Sequence, residues 1–247
     1  MSKLKTVMFY PTLMQSIVSK RLDGIITVSE DSKKRITSDF GVPPEKQSVV
    51  YNGIDTDVFR PLKEIKKVPG KILFVGNVED GKKGFVYLLK AMNNIDRRLK
   101  LTVVDGGSPH RNITGVLMKK YDLYDRVEFT GKISVDELVR HYNESILSLT
   151  PSVYEGFGFP AGESMACGTP VISSDGGALP EVVGDAGIII PARDADAVSE
   201  AANSLAFDQK RLDRYRDAGL ERINSLFRWD SAVGRMISCF RQASGAF

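Results

Sequence analysis

The stretch "KILFVGNVEDGKKGFVYLLKAM", residues 71–92, carries the pattern that decides the fold. Residues 71–75 are almost all apolar, which predicts a short buried strand. A glycine-rich polar loop follows, and then Phe85, Leu88 and Leu89 recur at helical spacing up to residue 92. A strand, a loop and a helix in this order predict part of a parallel sheet, because parallel strands need a crossover connection.

The same alternation of short apolar runs and helical patterns continues after this stretch. Further strands are predicted at 101–104, 127–130, 146–149, 171–173 and 187–190, and further helices at 113–121 and 135–143. Ser134 and Glu137 have the spacing of a capping box at the start of the second of these helices. The predicted fold class is therefore α/β, a doubly wound, Rossmann-like parallel sheet with helices on both faces.

Residues 1–63 have a different pattern. They contain a predicted strand at 24–28, a helix at 32–40 and a strand at 48–51, followed by the lysine-rich segment "LKEIKKVPGK". These few elements cannot make an independent doubly wound domain. We therefore expect residues 1–63 to be the end of a domain whose beginning is absent. The main sheet domain is expected at 64–225 and a final helix at 226–247.

Two carboxylates stand out in "YEGFGFPAGES", residues 154–164, which follows a predicted strand. The carboxyl ends of parallel strands share one edge of a sheet, and ligands bind there. Glu155 and Glu163 could each accept hydrogen bonds from two vicinal hydroxyl groups. Pro160 favours a helix start, so we expect the amides of residues 159–162 to face an anion such as a diphosphate. Gly156 and Gly158 allow a ligand to approach the backbone closely.

Composition excludes some classes of function. The 34 basic and 31 acidic side chains give a net charge of +3, which is too weak to indicate nucleic-acid binding. Two histidines and two distant cysteines, Cys167 and Cys239, predict no transition-metal site and are typical of a cytosolic protein with reduced thiols. The sequence has no apolar run of transmembrane length and no signal-peptide core, so we expect a cytoplasmic protein that is at most peripheral to a membrane.

An ordered series of motifs resembles a known family. The segments are "DGIITVSEDSKKRI", "VVYNGIDTDVF", "ILFVGNVEDGKKGFVYLLKAM", "LTVVDGG", "VEFTGKIS" and "PSVYEGFGFPAGESMACGTPVISSDGGALPEVVGDAGIII", followed by Trp229 in the final helix. Together they are similar to the retaining, nucleotide-sugar-dependent glycosyltransferases of family 4, which have the two-domain GT-B architecture. The resemblance covers most of the chain.

The resemblance implies roles for individual residues. Glu155 would contact hydroxyls of the transferred sugar, Glu163 the ribose hydroxyls, and Lys83 the diphosphate, with Glu155 and Lys83 as the catalytic pair. The other predicted donor-binding residues are Gly76, Asn77, Lys82, Gly156, Phe157, Gly158, Phe159 and Pro160. The resemblance also implies transfer of a hexose with retention of configuration, without a metal or a cofactor. The donor would be a UDP-sugar or a GDP-sugar such as GDP-mannose.

The chain departs from the family pattern at two places. An arginine commonly follows the glycine where this chain has Asn77, and Lys82 is the candidate to replace its charge. The front of the first domain, on the order of 100–150 residues, is absent from the pattern. Because that part supplies much of the acceptor site, the acceptor stays open and could be a sugar or a lipid-linked sugar.

Several alternatives remain open at this stage. The two glutamates could be a helix-capping acid and a surface acid, and Lys83 a solvated loop lysine. The chain could be a non-catalytic nucleotide-sugar-binding subunit, or an incomplete enzyme with a partner chain or a second copy bound through residues 1–60. A sugar-nucleotide epimerase or hydrolase is a weaker alternative. We expect Asp55 and Asp57, which imitate a metal-binding motif, to be structural, and His110 to be an exposed loop residue.

Overall fold

The computed structural model describes residues 14–104 and 112–244. The strands are β1 (Ile25–Thr27), β2 (Gln47–Val49), β3 (Lys71–Val75), β4 (Lys100–Val104), β5 (Val127–Gly131), β6 (Leu147–Thr150), β7 (Val171–Ser174) and β8 (Ile188–Ile190). The helices are α1 (residues 14–21), α2 (Glu30–Phe40), α3 (Phe85–Ala91), α4 (Asn112–Lys120), α5 (Val135–Glu144), α6 (Phe159–Ala166), α7 (Leu179–Val183), α8 (Ala195–Leu205), α9 (Gln209–Leu226) and α10 (Trp229–Ser244). Short 3-10 turns lie at Pro44–Lys46, Gly81–Lys83 and Gly184–Ala186.

The chain divides into two compact units, one up to Gly53 and again from Trp229, the other from Ile54 to Arg228. The division after Gly53 lies earlier in the chain than the domain boundary predicted after residue 63. Ile54 is only 1% exposed, and its N–H donates to the carbonyl of Phe227 at 2.7 Å. The side chain of Asn143 in α5 binds the backbone of residues 60 and 62, so this whole segment belongs to the larger unit.

The larger unit is built on a six-stranded sheet in the order β5-β4-β3-β6-β7-β8. Every neighbouring pair is parallel, so the predicted α/β class with a doubly wound Rossmann-like sheet is confirmed. Each strand predicted from the apolar runs lies within one or two residues of its predicted bounds. The centre of the sheet is the pair β3 and β6, from which the chain winds outward in both directions.

Successive side chains of β3 point to opposite faces of the sheet, so the strand contributes to the core on both faces. Ile72 and Phe74 pack with α3, α4 and α8 on one face, whereas Leu73 packs with Tyr142 and Cys167 on the other. The predicted capping box at the start of α5 is confirmed, since Ser134 and Glu137 exchange hydrogen bonds through both side chains and both backbone amides. Helices therefore cover both faces of the sheet.

The smaller unit contains α1, α2 and α10 around a two-stranded sheet. β1 and β2 pair in parallel and, within the described ranges 14–104 and 112–244, only with each other. Ser29 caps α2, as its hydroxyl oxygen accepts the Ser32 N–H at 3.1 Å. α9 ends at Leu226 and α10 begins at Trp229, so Phe227 belongs to the connection between them and not to the final helix.

Candidate functional site

The candidate site lies where the strand order of the sheet reverses. In open parallel sheets, ligands bind outside the carboxyl ends of the two strands at this point, here β3 and β6. The loop after β3 and the loop after β6 contact each other directly, since the carbonyl of Lys82 accepts the N–H of Val153 at 2.7 Å. The two loops that contain the predicted residues are therefore neighbours.

Lys83 and Glu155 meet in this crevice. Lys83 Nζ lies 2.7 Å from Glu155 Oε1, and the side chains are 23% and 12% exposed. The hydroxyl of Ser152 donates to the same oxygen, Oε1, at 2.8 Å. No hydrogen bond within the described residues reaches Glu155 Oε2, so the fixed carboxylate keeps one oxygen available for a ligand.

The loop after β3 is held by its own side chains. Asn77 Oδ1 accepts the N–H of Glu79, and Asp80 Oδ1 accepts the N–H of Lys82, which together shape the turn that carries Lys83. Asn77 and Lys82 are both exposed at the surface of this turn. Asn77 was predicted to bind phosphate, but its side-chain oxygen already accepts a hydrogen bond that shapes the turn.

The backbone of Glu155 is fixed from the neighbouring loop after β7. Its N–H donates to the carbonyl of Gly176, and its carbonyl accepts the N–H of Ala178 at 2.9 Å. Gly177 has a φ of +66°, and a Cβ there would lie 2.3 Å from the Glu155 carbonyl oxygen. Only glycine allows this approach, so three strand-end loops together position Glu155.

Four consecutive amides, those of residues 156–159, donate no hydrogen bond to the described part of the chain. This set differs from the predicted amides of residues 159–162. Pro160 has no N–H, and the amides of Ala161 and Gly162 donate to the carbonyl of Gly158. The helix itself begins at Phe159, one residue before Pro160, and Gly158 precedes it with a φ of +112°. The free amides therefore belong to the loop before α6 and to its first residue, Phe159, and successive free amides of this kind suit an anion.

The buried ring of Phe157 anchors this loop to the protein interior. Its side chain is 4% exposed, and its ring packs edge-on against Phe159 at 5.1 Å and against Phe227 at 5.8 Å between centroids. The side chain of Phe157 therefore faces the protein interior, which leaves its backbone N–H as the group that a donor could contact. The side chain of Phe159 is 44% exposed.

Glu163 lies one turn into α6 and has a single side-chain partner in the described residues. The hydroxyl of Tyr142, in α5, donates to Glu163 Oε2 at 2.8 Å. Burial raises the pKa of Glu163, and the hydrogen bond from Tyr142 opposes that rise. Burial and the nearby Glu163 carboxylate hold the pKa of Tyr142 well above its usual range. No described contact joins Glu155 to Glu163.

Sequence reasoning missed three residues that shape this site. Ser152 and Tyr142 each donate to one of the two glutamates, and Phe227 lies behind the loop that carries the free amides. Only Tyr142 had a local signal, because a tyrosine on the buried face of an amphipathic helix needs a partner for its hydroxyl. The other two contacts join segments that are distant in sequence or lie in irregular loops.

Other predicted features fall elsewhere. Asp55 Oδ1 accepts the N–H groups of Asp57 and Val58, which is a turn within the backbone. Among residues 14–104 and 112–244, no three histidine, cysteine or carboxylate side chains are grouped so that they could hold a metal ion. In those same ranges, no helix is both long and apolar enough to cross a membrane. His110 and the glycine loop at 105–107 lie outside the described residues.

Comparison with known proteins identifies the family. A family model described as "Glycosyl transferases group 1" matches residues 55–222, which is more than half of the chain. The chain belongs to this family. A second model, "Glycosyltransferase Family 4", matches residues 5–58. The resemblance inferred from the motifs is thereby confirmed.

Individual relatives agree with this assignment. The chain is 32% identical over 236 residues to the MMP alpha-(1->4)-mannosyltransferase of Mycolicibacterium hassiacum, covering 93% of this chain and 56% of the relative. Sucrose-phosphate synthase from Thermosynechococcus elongatus has a similar structure, with a TM-score of 0.86, 27% identity and coverage of 96% of this chain and 62% of that one.

A third comparison supports the fold alone. The Anabaena protein HepE, solved in complex with UDP and glucose, superimposes with a TM-score of 0.83 at 16% identity, covering 93% of this chain and 66% of that one. These neighbours make the GT-B type of Rossmann-like fold the fold of this chain. The chain spans a little over half the length of the mannosyltransferase relative and about two thirds of the solved structures.

Proposed function

We propose that this chain is the donor-binding part of a retaining glycosyltransferase that transfers a hexose from a nucleotide diphosphate sugar to an acceptor. The observation that carries the proposal is the Lys83–Glu155 pair, which lies at the switch point of the sheet and directly before the free amides of residues 156–159. A cation and a row of amides suit a diphosphate, and a carboxylate oxygen without a partner suits the hydroxyl groups of a sugar.

Each residue then has a defined task. Lys83 would leave Glu155 and bind the diphosphate, and Glu155 would accept hydrogen bonds from the hydroxyls of the hexose. Glu163 would accept the ribose hydroxyls through Oε1, the oxygen that Tyr142 does not occupy. Gly76, Asn77 and Lys82 would line the phosphate side, and the amides from Gly156 to Phe159, followed by Pro160, would close the other side.

The chemistry follows from where charge develops. The bond between the anomeric carbon and the phosphate oxygen breaks, a bond from the acceptor oxygen to that carbon forms, and the acceptor proton passes to the departing phosphate. Lys83 and the free amides would stabilise the growing negative charge on the diphosphate, an effect worth about 3–4 kcal/mol for each well-placed donor. This mechanism needs neither a metal ion nor a cofactor from the chain.

The proposal is tested by titration with UDP-glucose and GDP-mannose, followed by a transfer assay with sugar and lipid-linked sugar acceptors. The mannosyltransferase relative and the HepE complex motivate this choice of donors. We expect Glu163→Ala to weaken nucleotide binding and Glu155→Ala to reduce transfer more than binding. Glu200→Ala, at an exposed position in α8, is the matched control. A folded wild-type protein that binds neither a UDP-sugar nor a GDP-sugar would refute the proposal.

A second candidate is a nucleotide-sugar-binding subunit that transfers only together with a partner chain or a second copy. An apolar cavity of about 470 Å³ in the smaller unit favours it, with walls formed by Met14, Val18, Leu22, Ile25, Ile36 and Phe40. Contact through residues 1–60 would cover these side chains. This candidate predicts self-association in light scattering, or transfer only after a partner is added. A concentrated monomer that transfers a hexose by itself would exclude it.

A further inference from the structure

Tyr142 is a buried phenol whose hydroxyl has one partner in the described residues, the carboxylate of Glu163. Its side chain is fully buried, and the distance from its hydroxyl to Glu163 Oε2 is 2.8 Å. The neighbouring helices α5 and α6 are thus joined by a polar contact directly behind the candidate nucleotide site.

The ring of Tyr142 is held firmly in place. It packs with Leu73, Val139 and Cys167 in an apolar cluster, and the ring of Phe59 meets it edge-on at 6.2 Å between centroids. The backbone is anchored as well, because the hydroxyl of Thr169 donates to the Tyr142 carbonyl at 2.6 Å. A hydroxyl group on such a fixed ring has little freedom, so it determines where Glu163 Oε2 lies.

Packing alone does not explain a tyrosine at this position. A phenylalanine would fill the same apolar space without burying a hydroxyl, which costs free energy unless the hydroxyl is paired. The partner here is an acid of the candidate site and not a backbone carbonyl. The arrangement leaves Glu163 Oε1 without a hydrogen bond to the described residues and aims the carboxylate by its other oxygen.

We propose that Tyr142 is a positioning residue for nucleotide binding, which holds the Glu163 carboxylate so that Oε1 accepts the ribose hydroxyls. This inference rests on the proposed donor-binding function of Glu163. Tyr142 acts through Glu163 and does not itself touch the donor. Its loss therefore raises the donor KM and weakens nucleotide binding while the rate of transfer from the bound complex changes little.

The same contact makes a prediction about pH. The titratable groups facing Glu163 are Tyr142 from α5 and Cys167, which directly follows α6. Lys67 and Arg216 lie near Cys167 and Gly168. Burial raises the pKa of Cys167 to about 12 and lowers the pKa of Lys67 to about 8, so in the acid range Glu163 is the member of this group that changes its charge. Removing the Tyr142 hydroxyl raises the pKa of Glu163, and the acid limit of nucleotide binding moves to higher pH.

The test compares Tyr142→Phe with Tyr121→Phe, a half-buried tyrosine after α4 whose hydroxyl donates no hydrogen bond in the described residues. UDP and GDP are titrated against each folded variant across the acid range. We expect Tyr142→Phe to weaken binding of the preferred nucleotide about threefold to tenfold, and Tyr121→Phe to leave it unchanged. In a Glu163→Ala background the Tyr142→Phe change should have no further effect.

A measurement without nucleotide keeps the inference falsifiable. Carboxyl NMR of the free protein should show a higher pKa for Glu163 in Tyr142→Phe than in wild type. An unchanged pKa, or an equal loss of binding in both Glu163 backgrounds, overturns the inference. If Glu163→Ala binds nucleotide as wild type does, the proposed role of Glu163 fails. If Glu163→Ala binds weakly but Tyr142→Phe is normal, only the role of Tyr142 fails.

Discussion

Replacing Lys83 by methionine tests the central contact of the site. The substitution keeps the length and most of the volume of the side chain and removes the ammonium group that lies 2.7 Å from Glu155 Oε1. Glu155 keeps the hydrogen bond from Ser152 at 2.8 Å. Because both partners are partly exposed, we expect the free energy of unfolding to fall by only about 1 kcal/mol.

The effect on a bound diphosphate should be larger than the effect on stability. A hydrogen bond from a charged donor contributes about 1.5–3 kcal/mol, which corresponds to a roughly 10- to 150-fold weaker Kd for UDP or GDP. UMP or GMP lacks the second phosphate, so its Kd should change less. The loss in kcat/KM for transfer should exceed the loss in binding, since negative charge on the diphosphate grows in the transition state.

Isothermal titration of the four nucleotides against Lys83→Met and wild type measures these differences, and chemical denaturation measures the stability. Lys100→Met is the matched control, because Lys100 is exposed at the opposite edge of the sheet, where β4 begins. If folded Lys83→Met binds UDP and GDP with the same Kd values as wild type, the proposed phosphate role of Lys83 is refuted. A stability loss of several kcal/mol would show that the ion pair is mainly structural.

Three further predictions concern the loop, the core and the thiols. Gly158→Ala should lower the free energy of unfolding by about 2–4 kcal/mol in urea denaturation. Residue 158 has a φ of +112°, and a Cβ there would lie 2.7 Å from the side chain of Leu179. An unchanged free energy of unfolding would contradict this loop conformation. Arg126→Met should lower the free energy of unfolding by about 3 kcal/mol, because the buried guanidinium of Arg126 donates to four backbone carbonyls. A decrease below about 1 kcal/mol would count against those hydrogen bonds. Burial raises the pKa of Cys167 to about 12. A short iodoacetamide pulse near pH 8 should therefore leave Cys167 unmodified in mass spectra, while the less buried Cys239 reacts. Early labelling of Cys167 would show that α6 opens.

Local pattern determined most of the fold of this protein. The apolar runs predicted the strands of the larger unit, helical spacing such as that of Phe85, Leu88 and Leu89 predicted α3, α4 and α5, and Ser134 with Glu137 predicted the start of α5. Helices α7, α8 and α9 were not predicted. These features depend on residues within one turn or one strand of each other, so they can be inferred from sequence.

Tertiary structure decided how the predicted residues are paired. The contacts of Glu155 with Lys83 and of Glu163 with Tyr142 join residues 72 and 21 positions apart. Such contacts depend on strand order and on the path of loops that approach each other at one edge of the sheet. Periodicity does not contain that information.

The free amides show the same limit within one loop. The sequence around Pro160 indicated free amides near the start of α6, but it placed them at residues 159–162 rather than at 156–159. The difference arises because the carbonyl of Gly158 turns back and accepts two amides of the first helical turn. The sequence alone therefore indicated which residues lie near the candidate site. Which of their amides remain free for a ligand depends on backbone geometry, and only the folded chain fixes that geometry.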